Sequence, residues 1–268
     1  MKLKADELKE FLNEKYELYN KPVFIESDPI FVPHQFTKKE DIEIAAFFVA
    51  TLAWGQRPTI IRNGLKLMET MDNAPFEYIS HSTKKDWEAF SKFAHRTFNG
   101  VDAMYFIQSL QHIYTKKGGL ERAFIVTAPP KSSPKGEDLW NVLDMKNGLM
   151  QFREIFLGTY PAGRTAKHIA DVTRNSSGKR LNMFLRWMVR NDKRGVDFGI
   201  WKNISPALLY CPIDLHSGRV ARKLGLLKRT QDDWKAVDEL TQNLRKLDPK
   251  DPIKYDFALY GLGVFEKF

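Results

Sequence analysis

The sequence predicts an all-α protein, and three observations carry that prediction. Apolar residues recur at helical spacing along most of the chain. No segment sustains the apolar–polar alternation of a half-buried strand. Capping residues stand before several of the periodic stretches. Hydrophobic residues make up 43% of the 268, ample for a packed core.

Residues 3–19 carry Leu8, Phe11, Leu12 and Tyr16 near a period of 3.6 and read as a helix. Residues 20–36 read as extended, because Pro22, Pro29 and Pro33 forbid a long helix. Thr37-Lys38-Lys39-Glu40 has capping-box spacing. Residues 40–54 follow as a helix apolar on every side, with Ile44, Ala45, Phe48, Leu52 and Trp54, and such a helix is buried. Gly55 ends it, and Gln56-Arg57-Pro58 forms an exposed corner. Helices are expected over 59–71, 74–80 and 84–98, with Asn99-Gly100 as a break before Val101 to Tyr114. Lys117-Gly118-Gly119 is a turn before a short helix from Leu120 to Ile125. Residues 127–137, rich in proline and lysine, read as a solvent-exposed loop, and 138–157 as a helix. Arg164 to Val172 reads as a helix leading into the most informative stretch. Beyond it, Asp232 to Leu247 is an amphipathic helix, and Asp251-Pro252 caps a last helix from Ile253 to Phe265.

Composition narrows the function classes. The single cysteine, Cys211, excludes a disulfide framework within the chain and a four-cysteine iron–sulfur cluster, and it suits a reducing compartment. No apolar run approaches the roughly 18 residues needed to span a membrane. Residues 1–19 lack the apolar centre of a signal peptide. No phosphate-loop or dinucleotide fingerprint is present, and the histidines show no metal-ligand spacing, so neither metal nor cofactor is expected. The formal net charge is +9. The cations concentrate in Lys179, Arg180, Arg186, Arg190, Lys193 and Arg194, and in Arg219, Arg222, Lys223, Lys228 and Arg229. Two such clusters flanking one motif suggest a nucleic-acid footprint.

That motif begins Asn175-Ser176-Ser177-Gly178-Lys179-Arg180-Leu181-Asn182-Met183-Phe184-Leu185 and ends Pro212-Ile213-Asp214-Leu215-His216. A polar turn with one glycine opens into an apolar helix with a lysine on its first turn. Free N–H groups at such a helix start attract an anion. Asp214 is placed to cap the helix that starts at Leu215.

The first of these segments resembles the lysine-bearing second helix of the helix-hairpin-helix DNA glycosylases, which include endonuclease III and the archaeal 8-oxoguanine glycosylases. Gly178, Lys179, Asn182 and the following apolar run fit that pattern, although the family hairpin is richer in glycine. Pro212-Ile213-Asp214-Leu215-His216-Ser217-Gly218-Arg219-Val220 resembles the family's aspartate-bearing segment. The chain looks like a bacterial family related to this superfamily.

The resemblance implies two helical domains with a cleft between them, one contiguous over residues 41–190 and the other joining 1–40 to 191–268. It implies a DNA glycosylase with AP lyase activity, acting as a cytoplasmic, nucleoid-associated monomer on double-stranded DNA that contains a damaged base, an oxidised purine such as 8-oxoguanine. Lys179 would form a Schiff base with the sugar, and Asp214 would stabilise the developing positive charge. Gln56, Arg57, Ser177, Gly178, Arg180, His216, Arg219 and Lys223 would contact DNA, with Gln56 filling the gap left by a turned-out base. Met183, Phe257 and Tyr260 would line the base pocket, although Phe257 also suits the core and His216 a hydrogen bond at its helix start. The alternative is a non-catalytic helix-hairpin-helix DNA-binding module. A third reading is a basic scaffold for protein or RNA.

Overall fold

The computed structural model describes residues 4–126 and 144–268. The expected loop over 127–137 and the start of the expected helix over 138–157 lie outside the described residues. The chain is all-α. In order, the first helices are α1 (Ala5–Tyr19), α2 (Val23–Ser27), α3 (Lys39–Leu52), α4 (Arg57–Thr70), α5 (Pro75–His81) and α6 (Lys84–Trp87). There follow α7 (Gly100–Lys116), α8 (Leu120–Ala123), α9 (Met145–Gly158), α10 (Lys179–Val189), α11 (Leu215–Lys223), α12 (Trp234–Leu247) and α13 (Tyr255–Val264).

The chain divides into two compact units, Ser27–Ala170 and Met1–Glu26 with Asp171–Phe268. The division expected from the resemblance fell at 40/41 and 190/191. The 3₁₀ turns Pro29–Phe31 and Pro33–Gln35 pack on α3 and α4, which puts residues 27–40 in the first unit. Helix α10 is tied by its arginines to residues near the C-terminus, which puts it in the second.

In the Ser27–Ala170 unit, α3 is the core element, with every residue from Ile42 to Leu52 buried. Phe47 stacks on Phe106 at 5.4 Å and meets Phe152 and Phe156 edge-on. Phe106 meets Phe156 at 4.8 Å, and Phe124 stacks on Phe152 at 4.1 Å. These rings join α3, α7 and α9 around one aromatic centre. Helix α7 begins at Gly100, where a Cβ would lie 2.3 Å from the Phe90 carbonyl oxygen. Asp102, on its first turn, is fully buried and holds Arg164 at 2.6 Å, Thr165 at 2.8 Å and His168 at 3.2 Å.

Several expectations are corrected here. Residues 84–98 are not one helix. After α6 come a 3₁₀ turn, Glu88–Phe90, and a hairpin of β1 (Ala94–His95) and β2 (Phe98–Asn99). Phe93 and Phe98 turn inward, and Arg96 closes the turn with a left-handed φ of 55°. Residues 20–36 are not extended, because Pro29 and Pro33 sit at the first position of 3₁₀ turns, where a missing N–H costs nothing. Thr37-Lys38-Lys39-Glu40 is not a capping box: Lys38 is the N-cap of α3 and makes no side-chain cap bond. Arg164 to Val172 is not an α-helix but lies in the 3₁₀ turns Gly163–His168 and Val172–Arg174. Arg153 holds the carbonyls of Ala166 and Ile169 at 3.2 and 2.5 Å, and Asp171 accepts from the Thr173 and Arg174 N–H groups, so local bonds replace a helical ladder.

In the second unit, α13 packs against both α1 and α11. Two glycines allow this approach. A Cβ on Gly261 would stand 2.1 Å from the Tyr19 ring, and one on Gly263 would stand 2.9 Å from the His216 Cβ. Beneath α10 lies a buried lattice of charge. Arg190, 0% exposed, donates to Asp197 at 2.5 Å, to both oxygens of Asp251 at 2.8 Å and to Asp192 at 3.1 Å. Arg186 donates to Asp197 at 3.3 Å and pairs with Asp256. Tyr16 and Asn20, from α1 and its end, donate to Asp192 at 2.8 and 2.6 Å. Burial pushes the Asp197 carboxyl up, and that of Asp256 to about 6, against the pull of the arginines.

Removing one partner from such a lattice strands the others. Arg190→Met is therefore expected to cost about 3–5 kcal/mol. Arg194→Met, which breaks the partly exposed pair with Glu17 at 2.6 Å and the guanidinium contact with the Tyr16 ring at 4.7 Å, should cost about 1 kcal/mol or less. Urea unfolding of the two variants checks this, and equal losses would remove the lattice from the account of stability.

Candidate active site

The loop before α10 is fixed locally. Asn175 adopts the left-handed region at φ 66°. Its amide donates to Asp233 at 2.7 Å, and its carbonyl accepts from the Trp234 N–H at 3.2 Å, which ties the loop to the start of α12. Ser176 N–H donates to the Asp171 carbonyl at 3.1 Å. Gly178 is the N-cap of α10, buried and left-handed at φ 62°, a conformation that favours glycine. From below, the buried Asn182 amide donates to the Ser177 carbonyl at 3.2 Å.

Lys179 opens α10, and Asp214 is the N-cap of α11. The structure brings these two together: Lys179 Nζ lies 3.1 Å from Asp214 Oδ2, with the side chains 35% and 19% exposed. The aspartate divides its labour between its oxygens. Oδ1 accepts from the His216 and Ser217 N–H groups, both at 2.9 Å, while the Ser217 hydroxyl accepts from the Asp214 N–H at 2.9 Å. That reciprocal capping box leaves Oδ2 to the lysine. Burial raises the Asp214 carboxyl, but the Lys179 charge and the Ser217 and His216 N–H bonds outweigh it and hold the group below its usual value. Cys211 is buried nearby, its thiol pushed well up by burial and by the charges of Asp256 and Asp214.

The other expected site residues divide. Met183 lies one turn after Lys179 and is half-buried on an α10 whose residues from Leu181 to Val189 are otherwise buried, so lysine and methionine share the accessible stripe. Ser177 and Arg180 are half-buried beside them, and burial lowers the arginine's pKa. His216 is exposed on the first turn of α11. Lys223 reaches over the Phe268 ring at 5.4 Å. Gln56 is the exposed N-cap of α4, with Arg57 half-buried at its first position. Tyr260 is half-buried, edge-on to Phe24 at 5.9 Å.

Two readings are narrowed in this region. Phe257 is 1% exposed, beneath the Arg186 guanidinium at 4.4 Å and edge-on to Phe24 at 5.5 Å. It packs as a core residue, the other role the sequence allowed it. The basic clusters are also not free charge. Arg186 and Arg190 are spent in the buried lattice, Arg194 on Glu17, Arg222 on Asp232 and Arg229 on Asp233, and Arg219 donates to the Gly263 carbonyl at 3.0 Å. Counting cations along the sequence missed acids just beyond each run, Asp197, Asp232 and Asp233, and acids that return from distant positions, Glu17, Asp251 and Asp256. Two further features went unread in the sequence. Leu215 is 75% exposed beside Asp214. Ser217 completes the cap, and its Asp-x-x-Ser spacing was the available signal.

The shift at Asp214 sets a pH dependence. Its folded value lies below the usual 3.8, so its stabilising contribution is present above 3.8 and is lost as pH falls through the lowered folded value. Lys179→Gln removes the neighbouring charge. The variant should be less stable than wild type at pH 7 by about 1 kcal/mol or less, and the melting temperatures should converge as pH falls below 3.8. Thermal melts at paired pH values test this, and a gap independent of pH would contradict it.

Among the described residues, no group of three or more His, Cys, Asp or Glu side chains is arranged to hold a metal ion, and no helix is long and apolar enough to cross a membrane. No curated protein and no solved structure matches the chain. One sequence family, described as "Protein of unknown function (DUF2400)", matches residues 28–265. That span covers both catalytic candidates and most of the chain, and the protein belongs to this DUF2400 family.

Proposed function

We propose that the protein is a DNA glycosylase with AP lyase activity, which removes a damaged base, an oxidised purine such as 8-oxoguanine, from double-stranded DNA. The observation that carries the reading is the Lys179–Asp214 pair, 3.1 Å apart at two helix starts, with the lysine partly open to solvent and one aspartate oxygen free of the cap. The resemblance of the two motifs to the helix-hairpin-helix glycosylases supplies the reaction class.

Each group then has a defined task. The Lys179 amine, once it has lost its proton to solvent, attacks C1′ of the nucleotide. A nitrogen–carbon bond forms as the glycosidic bond breaks, and the base leaves with that electron pair and takes up a proton. Asp214, ionised at neutral pH, faces the positive charge that develops on the sugar. Opening of the sugar ring leaves a Schiff base on Lys179. Loss of a C2′ proton then expels the 3′ phosphate and cuts the strand. Met183, on the lysine's face of α10, supplies an apolar surface for the base.

A non-catalytic DNA-binding module is the second reading. It is favoured by the 3₁₀ turns Gly163–His168 and Val172–Arg174 that stand where the hairpin's first helix was expected.

Borohydride reduction separates the two, because only a Schiff-base enzyme becomes covalently joined to lesion-containing DNA. With a panel of single-lesion duplexes, wild type should trap and cleave on at least one. Lys179→Gln should abolish both. Asp214→Asn keeps an oxygen for the cap but loses the charge, so turnover should fall roughly 10²–10³-fold while binding persists. Trapping by Lys179→Gln at the wild-type rate would sink the assignment.

A further inference from the structure

The sequence reading placed Trp54 inside the buried helix 40–54, but α3 stops at Leu52 and the indole is 52% exposed. It is the most exposed tryptophan among the described residues; Trp87, Trp187, Trp201 and Trp234 are all at 7% or below. Three features hold an arginine across it. The Arg96 guanidinium lies 4.4 Å from the indole ring centre. Arg96 is presented by the β1–β2 turn in the left-handed region at φ 55°, a conformation that costs a non-glycine residue about 1 kcal/mol. Gly55, at φ +126°, leaves room for it, since a Cβ there would stand 2.7 Å from an Arg96 guanidinium nitrogen. The hairpin itself is anchored by His95, 5% exposed, whose ring nitrogen bonds the Asn63 amide at 2.8 Å.

The surroundings select the occupant. No acidic residue occurs from Ile44 to Met68 or from Ala89 to Val101. Those two segments carry Arg57, Arg62, Lys66, Lys92 and Arg96, all exposed except the half-buried Arg57. A flat aromatic face with a guanidinium against it, on two segments that carry cations and no acids, fits a stacked heterocycle that carries phosphates on either side. We infer that Trp54 and Arg96 form a stacking platform for an unpaired nucleobase of a nucleic-acid strand. The inference rests on the nucleic-acid part of the proposed function but not on the lysine chemistry.

The test is fluorescence anisotropy with the full chain, using a labelled oligothymidine and an abasic strand of equal length and charge. Wild type should bind oligothymidine more tightly. Trp54→Ala should weaken oligothymidine binding about five- to hundredfold, toward that of the abasic strand, and leave abasic binding unchanged. Trp54→Phe, which keeps a ring, should fall between, and this variant decides the matter if the alanine variant melts early. Equal wild-type affinity for the two strands, or unaltered binding by Trp54→Ala, would overturn the platform whatever the borohydride trap gives. Base-dependent binding by a wild type that never traps would keep the platform and remove the glycosylase reading.

Discussion

The Arg186 and Arg190 lattice is the constraint on which the second unit depends. Both arginines project from α10, and their partners come from the turn after α10, from the segment before α13 and from α13 itself. Two guanidiniums facing four carboxylates are costly to desolvate, and the raised Asp197 and Asp256 carboxyls record that cost. In return, the directional forks of the arginines admit one placement of each partner. Apolar packing tolerates small slides of a helix; a bidentate bond to Asp251 at 2.8 Å does not. The lattice therefore fixes the placement of α10, whose first residue is Lys179.

The same rigidity reaches the aspartate by another route. Helix α11 packs on α13, close to the Gly263 backbone, and α13 carries Asp256 into the lattice. Lys179 and Asp214 thus start from helices held by a common frame. The pair is assembled from two helix starts, one opened by the left-handed Gly178 without a side-chain cap bond and the other closed by the Asp214–Ser217 box. Because the cap occupies only one carboxylate oxygen, structural and chemical roles coexist in one side chain. That division is a geometric outcome of the N-cap position, where one oxygen faces the helix and the other faces away.

Charge shows how far a linear reading reaches. The runs Lys179 to Arg194 and Arg219 to Arg229 look like a nucleic-acid surface, yet their arginines are mostly tied to Asp192, Asp197, Asp232, Asp233, Asp251, Asp256 and Glu17. In the Ser27–Ala170 unit the opposite holds. Arg62, Lys66, Lys92 and Arg96 are scattered in sequence and drew no attention, but they are exposed in segments without acids. Attraction depends on net charge within a Debye length, which the fold decides.

Much was legible in the sequence because it depends on neighbours along the chain. Helical periodicity located α1, α3, α12 and α13 to within a few residues, and the Asp214 cap and the Gly178 start follow from local backbone chemistry. What required the fold were decisions made by distant partners. Asp251 was expected as a cap but makes no cap bond and instead accepts from Arg190. Phe257 was open to a core or a pocket role, and the Arg186 guanidinium that covers it comes from another helix. Residues 94–99 form a hairpin because Phe93 and Phe98 are drawn into an aromatic core supplied by α3, α7 and α9. The sequence by itself determined the class, most helices and the two motif residues. The tertiary structure decided that Lys179 and Asp214 meet, since a 3.1 Å contact between them is set by the packing of α10, α11 and α13 and by no local rule.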